Sequence, residues 1–227
     1  RRALNVLEQA IAMLAENSKE LDVNVLKLVL GNVVLQYDKN GDYHYDIISA
    51  FIKSMRGSDP NGAVYWLARM LVGGEDIKFI ARRMLILAAE DIGLANPNAL
   101  IMANNCFQAI NVIGNPEARI ILSQTAVYLA VSPKSNSTYM AINDAMAKVK
   151  QSGNLPVPLH LRNAPTKLMK DLNYGKDYDY AHSHEGNFVD LEFLPEELKG
   201  TAFYNPGNNA TENKIAEQLK KKWKDKY

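Results

Sequence analysis

Residues 76–93 read DIKFIARRMLILAAEDIG. Ile77, Ile80, Ala81, Met84, Leu85 and Ala88 fall at i, i+3, i+4, i+7, i+8 and i+11, the spacing that puts every apolar side chain on one face of an α-helix. Asp76 stands where an N-cap is needed, and Gly93 stands where the pattern stops. The same periodicity recurs on either side. It holds Ile47, Ile48, Phe51, Ile52 and Met55 in residues 44–57, and Val64, Leu67, Ala68 and Leu71 in residues 60–74. Farther on it holds Ala118, Ile121, Leu122, Ala126 and Leu129 in residues 115–131.

The punctuation agrees. Asp59-Pro60, Asn96-Pro97 and Asn115-Pro116 each set a capping residue before a proline at the expected first helical position, and Gly57, Gly73, Gly93 and Gly114 close helices. Short links between helices of about 12–18 residues make neighbours antiparallel. The expected fold is therefore all-α, built of antiparallel helical hairpins. Beyond Gly153 the periodicity is lost in a stretch rich in Pro, Gly, Asn and Tyr. This predicts a long irregular arm, packed over the helices by Tyr174, Tyr178, Tyr180 and Tyr204 because solvated segments are poor in aromatics. A last amphipathic helix carries Ile215, Leu219 and Trp223.

The chain has 227 residues, 47% of them hydrophobic, with a formal charge of +1. That is enough to bury a sizeable core, and the charge gives no whole-chain field toward nucleic acid or acidic lipid. The single Cys106, in an apolar segment, reads as a buried thiol in a reducing, cytoplasmic setting. No run approaches the roughly 18 apolar residues of a membrane span, so no membrane partner is expected. The amphipathic run Leu4, Leu7, Ala10, Ile11, Leu14 follows Arg1 with no cap ahead of it, which predicts a chain that begins inside a helix of a longer protein.

Chemical motifs are sparse. Asp38-Lys39-Asn40-Gly41-Asp42 resembles a calcium loop but puts Tyr43 where the turn glycine belongs and Ser49 where the bidentate glutamate belongs, so it reads as an Asn-Gly turn. His182 and His184, with His160, offer only a partial ligand set, and no metal is expected; a metal-dependent hydrolase on a helical bundle is the alternative built on them. There is no GxxxxGK[ST] and no strand ending in paired acids, so no catalytic residue is assigned and no cofactor is expected in this chain. Lys220, Lys221 and Lys222 around Trp223, and Arg162 with Lys167 in a second basic loop, are the candidate DNA contacts. They also support another alternative, a monomeric nucleic-acid adaptor.

The stretches RRALNVLE (1–8), HYDIISAFIKSMRGSDPNGAVYWLARMLVGGED (44–76), FIARRMLILAAEDIGLANPNAL (79–100), VYLAVSPKSNSTYMA (127–141) and GNLPVPLHLRNAPTKLMKDLNYGKDYDYAH (153–182) resemble, in collinear order, the C-terminal half of the replication-associated recombination protein A family. Its eukaryotic counterpart is the Werner-helicase-interacting ATPase. The resemblance implies a parent AAA+ ATPase using ATP and Mg2+, acting in replication-fork maintenance, recombination and repair at single-strand/duplex junctions. It also implies association with single-stranded-DNA-binding protein and a cytoplasmic, nucleoid-associated location. On this resemblance residues 1–36 end the AAA+ helical lid, and residues 37–227 form a clamp-loader-type C-terminal domain that assembles tetramers. Arg1 then matches the arginine of the sensor-2 motif, which reaches the nucleotide phosphates from the lid. The apolar surplus of the 76–93 helix, Ile86 and Leu87, is expected to face neighbouring subunits.

Overall fold

A computed structural model describes residue 11 and residues 42–226. Arg1, the opening amphipathic run apart from Ile11, and the Asp38–Gly41 turn lie outside the described residues. Every regular element among the described residues is helical: α1 (Asp42–Arg56), α2 (Pro60–Val72), α3 (Ile77–Leu87), α4 (Asn98–Ile113), α5 (Ala118–Val131), α6 (Ser137–Ser152), α7 (Lys167–Asp171) and α8 (Ala210–Trp223), joined by turns and short 3-10 segments. They form two compact units. One holds the described residues up to Ala88 with Ala99–Ser132, and the other holds Ala89–Asn98 with the described residues from Pro133 onward.

In the first unit α1 and α2 pack on each other and both on α5, with α3 against α1 and α5. The predicted stripe of α1, Ile47, Ile48, Phe51, Ile52 and Met55, is buried in full. It meets Leu67 and Met70 of α2 and the buried faces of α3 and α5, where Met84, Leu122 and Leu129 are closed to solvent. Burying each such side chain contributes about 1.5–3 kcal/mol. Cys106 is buried, as expected, and burial pushes its thiol up despite a hydrogen bond with Thr125. Two caps behave as the sequence predicts. Asp59 Oδ1 accepts from the backbone N–H of Asn61 and of Gly62, both at 3.0 Å, ahead of Pro60, and Asp76 Oδ1 accepts from Lys78 N–H at 3.0 Å.

Other expectations are corrected. On α2 the core side is Ala63, Leu67 and Met70, and Val64 and Ala68 are exposed. The helix is apolar almost all round, so two overlapping stripes fit its periodicity and the neighbours select one. Regular α-helix in α3 ends at Leu87, followed by a π turn (Ala88–Ile92) and a 3-10 turn (Gly93–Ala95). Gly93 has φ +48°, and a Cβ there would lie 3.0 Å from the Ser135 carbonyl oxygen, so the stop sits at a close backbone approach. Asn115 does not cap: the Asn115-Pro116 bond is cis, and α5 begins at Ala118 after Glu117, without a side-chain cap. Likewise α4 begins at Asn98, one residue past Pro97.

The arm from Gly153 to Asn209 is irregular apart from 3-10 turns and the short α7. Of its four tyrosines, Tyr174 and Tyr204 are half-buried, while Tyr178 and Tyr180 are exposed. Their ring-rich neighbourhood in sequence does not by itself supply an apolar surface to cover them. Replacing Asp59 with Ala should lower stability by about 1 kcal/mol, read as a shift in the denaturation midpoint with an unchanged slope; no shift would show that the cap carries no net energy.

Candidate assembly surface and basic tail

The side of α2 that the core leaves free is not isolated apolar surface. Val64, Leu67, Ala68 and Leu71, the stripe expected from the sequence, line a groove of about 430 Å³ with Arg119, Ile120 and Ser123 of α5. Val64 is 36% and Ile120 60% exposed. The same unit leaves Leu100, Ile101 and Val112 of α4 open to solvent. In the second unit α6 buries only Ser137 and exposes Tyr139, Ile142, Met146 and Val149, spaced i, i+3, i+7 and i+10 along one stripe. Contiguous apolar surface of this kind marks an interaction site more often than scattered exposure does. The pair expected to widen the face of α3 divides: Ile86 is 48% exposed, but Leu87, at 1%, joins the core, because successive helical residues point about 100° apart.

The basic candidates are in dissimilar settings. Arg162 is tied internally, its Nε donating to Val157 O at 2.6 Å and its guanidinium lying 4.9 Å over the Tyr174 ring. Lys167 is exposed in the first turn of α7, behind the Thr166 cap. Lys220, Lys221 and Lys222 are exposed in the last turn of α8. Trp223 is half-buried, edge-on to Phe188 at 4.9 Å and to Phe193 at 6.2 Å, with the Lys226 ammonium 4.3 Å from its ring. The histidines go to separate partners. His160 Nε2 bonds Glu192 O at 2.8 Å, His184 Nε2 bonds Asp179 Oδ1 at 2.6 Å, and His182 lies against Tyr180. Among the described residues no group of three or more His, Cys, Asp and Glu is placed to hold a metal.

The sequence reading missed the most constrained polar group, Glu212, which is 0% exposed in the first turn of α8. Its carboxylate accepts from Ser137 Oγ, from Tyr204 OH at 3.0 Å and from Asn209 Nδ2 at 2.6 Å, while its own N–H donates to Asn209 Oδ1 at 3.0 Å. Burial would raise this carboxyl, but hydrogen bonds from Ser135, Ser137, Asn209 and the Gly207 backbone prevail and hold it down at about 2. Burial, then the hydrogen bond to Glu212 and its charge, push Tyr204 up to about 12. Thr211 Oγ1 donates to Ala95 O at 3.1 Å, fixing α8 to the 3-10 turn after α3. The Asn209 to Glu212 spacing is a variant of the capping box and was readable; its partners Ser135 and Ser137, far away in sequence, were not.

Because the folded carboxyl titrates near 2 and an ordinary one near 4.5, its stabilisation is complete above about pH 4.5 and is lost as pH falls through 2. The amount is about 3 kcal/mol. Glu212→Gln should lose about that much at neutral pH and flatten the acid limb of a stability-pH curve. Gly207→Ala should act in the same direction, since its Cβ would meet Glu212 Oε2 at 2.8 Å and Ser135 Oγ at 2.9 Å. An unchanged acid limb in Glu212→Gln would show that the network contributes nothing net.

Comparison with known proteins places these features in a family. A family model described as "MgsA AAA+ ATPase C terminal" matches residues 57–223, and one described as "AAA C-terminal domain" matches residues 1–56. Replication-associated recombination protein A of Coxiella burnetii is 46% identical over 222 residues, which are 96% of this chain and 50% of that protein. The protein of the same name from Escherichia coli K12 is 41% identical over 224 residues, 96% of this chain and 50% of the relative. ATPase WRNIP1 of Dictyostelium discoideum is 41% identical over 223 residues, 90% of this chain and 26% of the relative. The chain spans about half the length of the bacterial relatives. With one family model covering most of its length, this all-α chain belongs to the MgsA AAA+ ATPase C-terminal family.

Proposed function

We propose that this chain is the assembly portion of an AAA+ ATPase of replication-fork maintenance, recombination and DNA repair, and that it drives homotetramerisation. The observation that carries the reading is the open α2–α5 groove, where Val64 and Ala68 of α2 and Ile120 of α5 stay exposed beside Leu71. The names of the bacterial relatives support the replication and recombination context. In this reading residues 1–36 end the helical lid, Arg1 senses nucleotide, and residues 37–227 form the oligomerisation domain. ATP and Mg2+ are held by the nucleotide-binding core of the whole protein, and no catalytic residue is assigned to this chain. The exposed Lys167, Lys220, Lys221 and Lys222 support contact with DNA at single-strand/duplex junctions. Arg162 is the weaker candidate because its guanidinium is already engaged. Single-stranded-DNA-binding protein is a further proposed partner. The setting is cytoplasmic, at the nucleoid; no described helix is long and apolar enough to cross a membrane.

Light scattering across a concentration series tests the assembly. The wild-type chain should show about four times its 25.3 kDa mass. Val64→Asp with Ile120→Asp, both at exposed positions, should reduce that mass while leaving the helical circular dichroism intact. A monomer at every concentration would remove assembly from this chain and favour the monomeric adaptor. A tetramer that survives the double substitution would move the interface off the groove.

A further inference from the structure

The arm and α8 line an open pocket of about 310 Å³. Phe193, Phe203, Tyr204 and Trp223 line it together with Leu219. The volume is at the small end of the ~300–1,000 Å³ typical of ligand sites, which suits one planar ring system. The rings are set in advance. Trp223 is held edge-on by Phe188 and Phe193, and the Tyr204 hydroxyl is tied to the buried Glu212. Little ordering cost therefore remains to be met on binding.

The polar residues lining this cavity are Thr201, Glu192 and Lys226, with Tyr204 through its hydroxyl. Glu192 Oε1 accepts from the backbone N–H of Phe193 and of Leu194, both at 3.0 Å, and from Lys226 Nζ at 3.2 Å. Its second oxygen, Oε2, accepts no bond among the described residues. Burial would raise the carboxyl, but Leu194 N–H, Lys226 and Phe193 N–H hold it below the usual range, so it stays ionised. An ionised carboxylate only accepts, so an occupant must bring a donor to the edge of its ring. A phenylalanine anchor of a peptide would cover Glu192 without one, a desolvation cost with no return. In the same last turn of α8, the exposed Lys220, Lys221 and Lys222 add three cations beside the pocket residue Trp223, a charge that suits an anionic chain.

We infer that this pocket takes one unpaired base of a single-stranded nucleic acid, selecting bases that carry an exocyclic amino group. The amino group donates to Glu192 Oε2, the ring lies among Phe193, Phe203, Tyr204 and Trp223, and Lys220, Lys221 and Lys222 neutralise the neighbouring phosphates. Thymine and uracil carry their one ring donor, N3–H, between two carbonyl oxygens, so a carboxylate that accepts from it also meets a carbonyl oxygen on either side and the pairing is weaker. The inference rests on reading the α8 lysines as a nucleic-acid contact and adds to it a reader of base identity.

The test is a fluorescence titration of the Trp66→Phe chain, whose remaining tryptophan is Trp223, with short deoxycytidine, deoxyadenosine and thymidine oligonucleotides. A cytidine ribo-oligonucleotide in parallel separates DNA from RNA as the source. Deoxycytidine and deoxyadenosine runs should change the Trp223 emission and bind about tenfold tighter than thymidine, the scale of one hydrogen bond to a charged group. Glu192→Gln turns the free position from acceptor to donor and should abolish the preference. Neutralising Lys220, Lys221 and Lys222 to Gln should weaken all strands alike and lower the slope of log affinity against log salt by about 2. Salt-dependent binding with equal affinity for all bases, or with no change in Trp223 emission, would overturn the pocket and leave the basic contact standing. No binding at low salt would overturn both. A response to a phenylalanine-terminated acidic peptide but to no oligonucleotide would assign the pocket to protein instead.

Discussion

A fully buried carboxylate organises the second unit. Glu212 cannot be solvated, so its charge persists only because Ser137, Tyr204, Asn209 and their neighbours deliver hydrogen bonds to it. Those donors come from the start of α6, the irregular arm and the cap of α8. One group therefore fixes the register of segments that share no secondary-structure ladder. Breaking one arm of such a network leaves an uncompensated buried charge, which costs more than the network contributes net. The Tyr204 ring that lines the aromatic pocket is held by the same carboxylate, so the pocket inherits its rigidity from the clamp.

The first unit obeys a different constraint. Its core is filled by one face each of α1, α2, α3, α4 and α5, and the helices carry more apolar surface than that core uses. Val64, Leu71 and Ile120 lie around an open groove, and Leu100, Ile101 and Val112 remain in water on α4. Leaving such side chains exposed forgoes burial energy that a second copy of the chain would recover. The proposed self-association follows from that surplus.

Much of the fold was legible from residues alone, since α1 carries a single unambiguous stripe and Asp59 and Asp76 stand where caps must stand. Legibility failed where the sequence offered two solutions. Residues 63–72 are apolar on nearly every side, so only the neighbours decide that Met70 goes inward and Val64 outward. It failed again where the determinant is distant, as with Ser137 on Glu212 and the approach of Ser135 to Gly93. The basic candidates show the same limit. Periodicity places Lys220, Lys221 and Lys222 on an exposed turn, but it does not show that Arg162 is bound to Val157 or that Trp223 is walled by phenylalanines.

The central claim is that the α2–α5 groove is covered by another copy of this chain. Hydrogen exchange measured on the wild-type chain at low and at high concentration tests it without altering a residue. The account predicts that amides of α2 and α5 gain protection with concentration, while those of α1 in the core do not change. Protection of α2 and α5 that is independent of concentration, in a range where the solution mass rises, would contradict it.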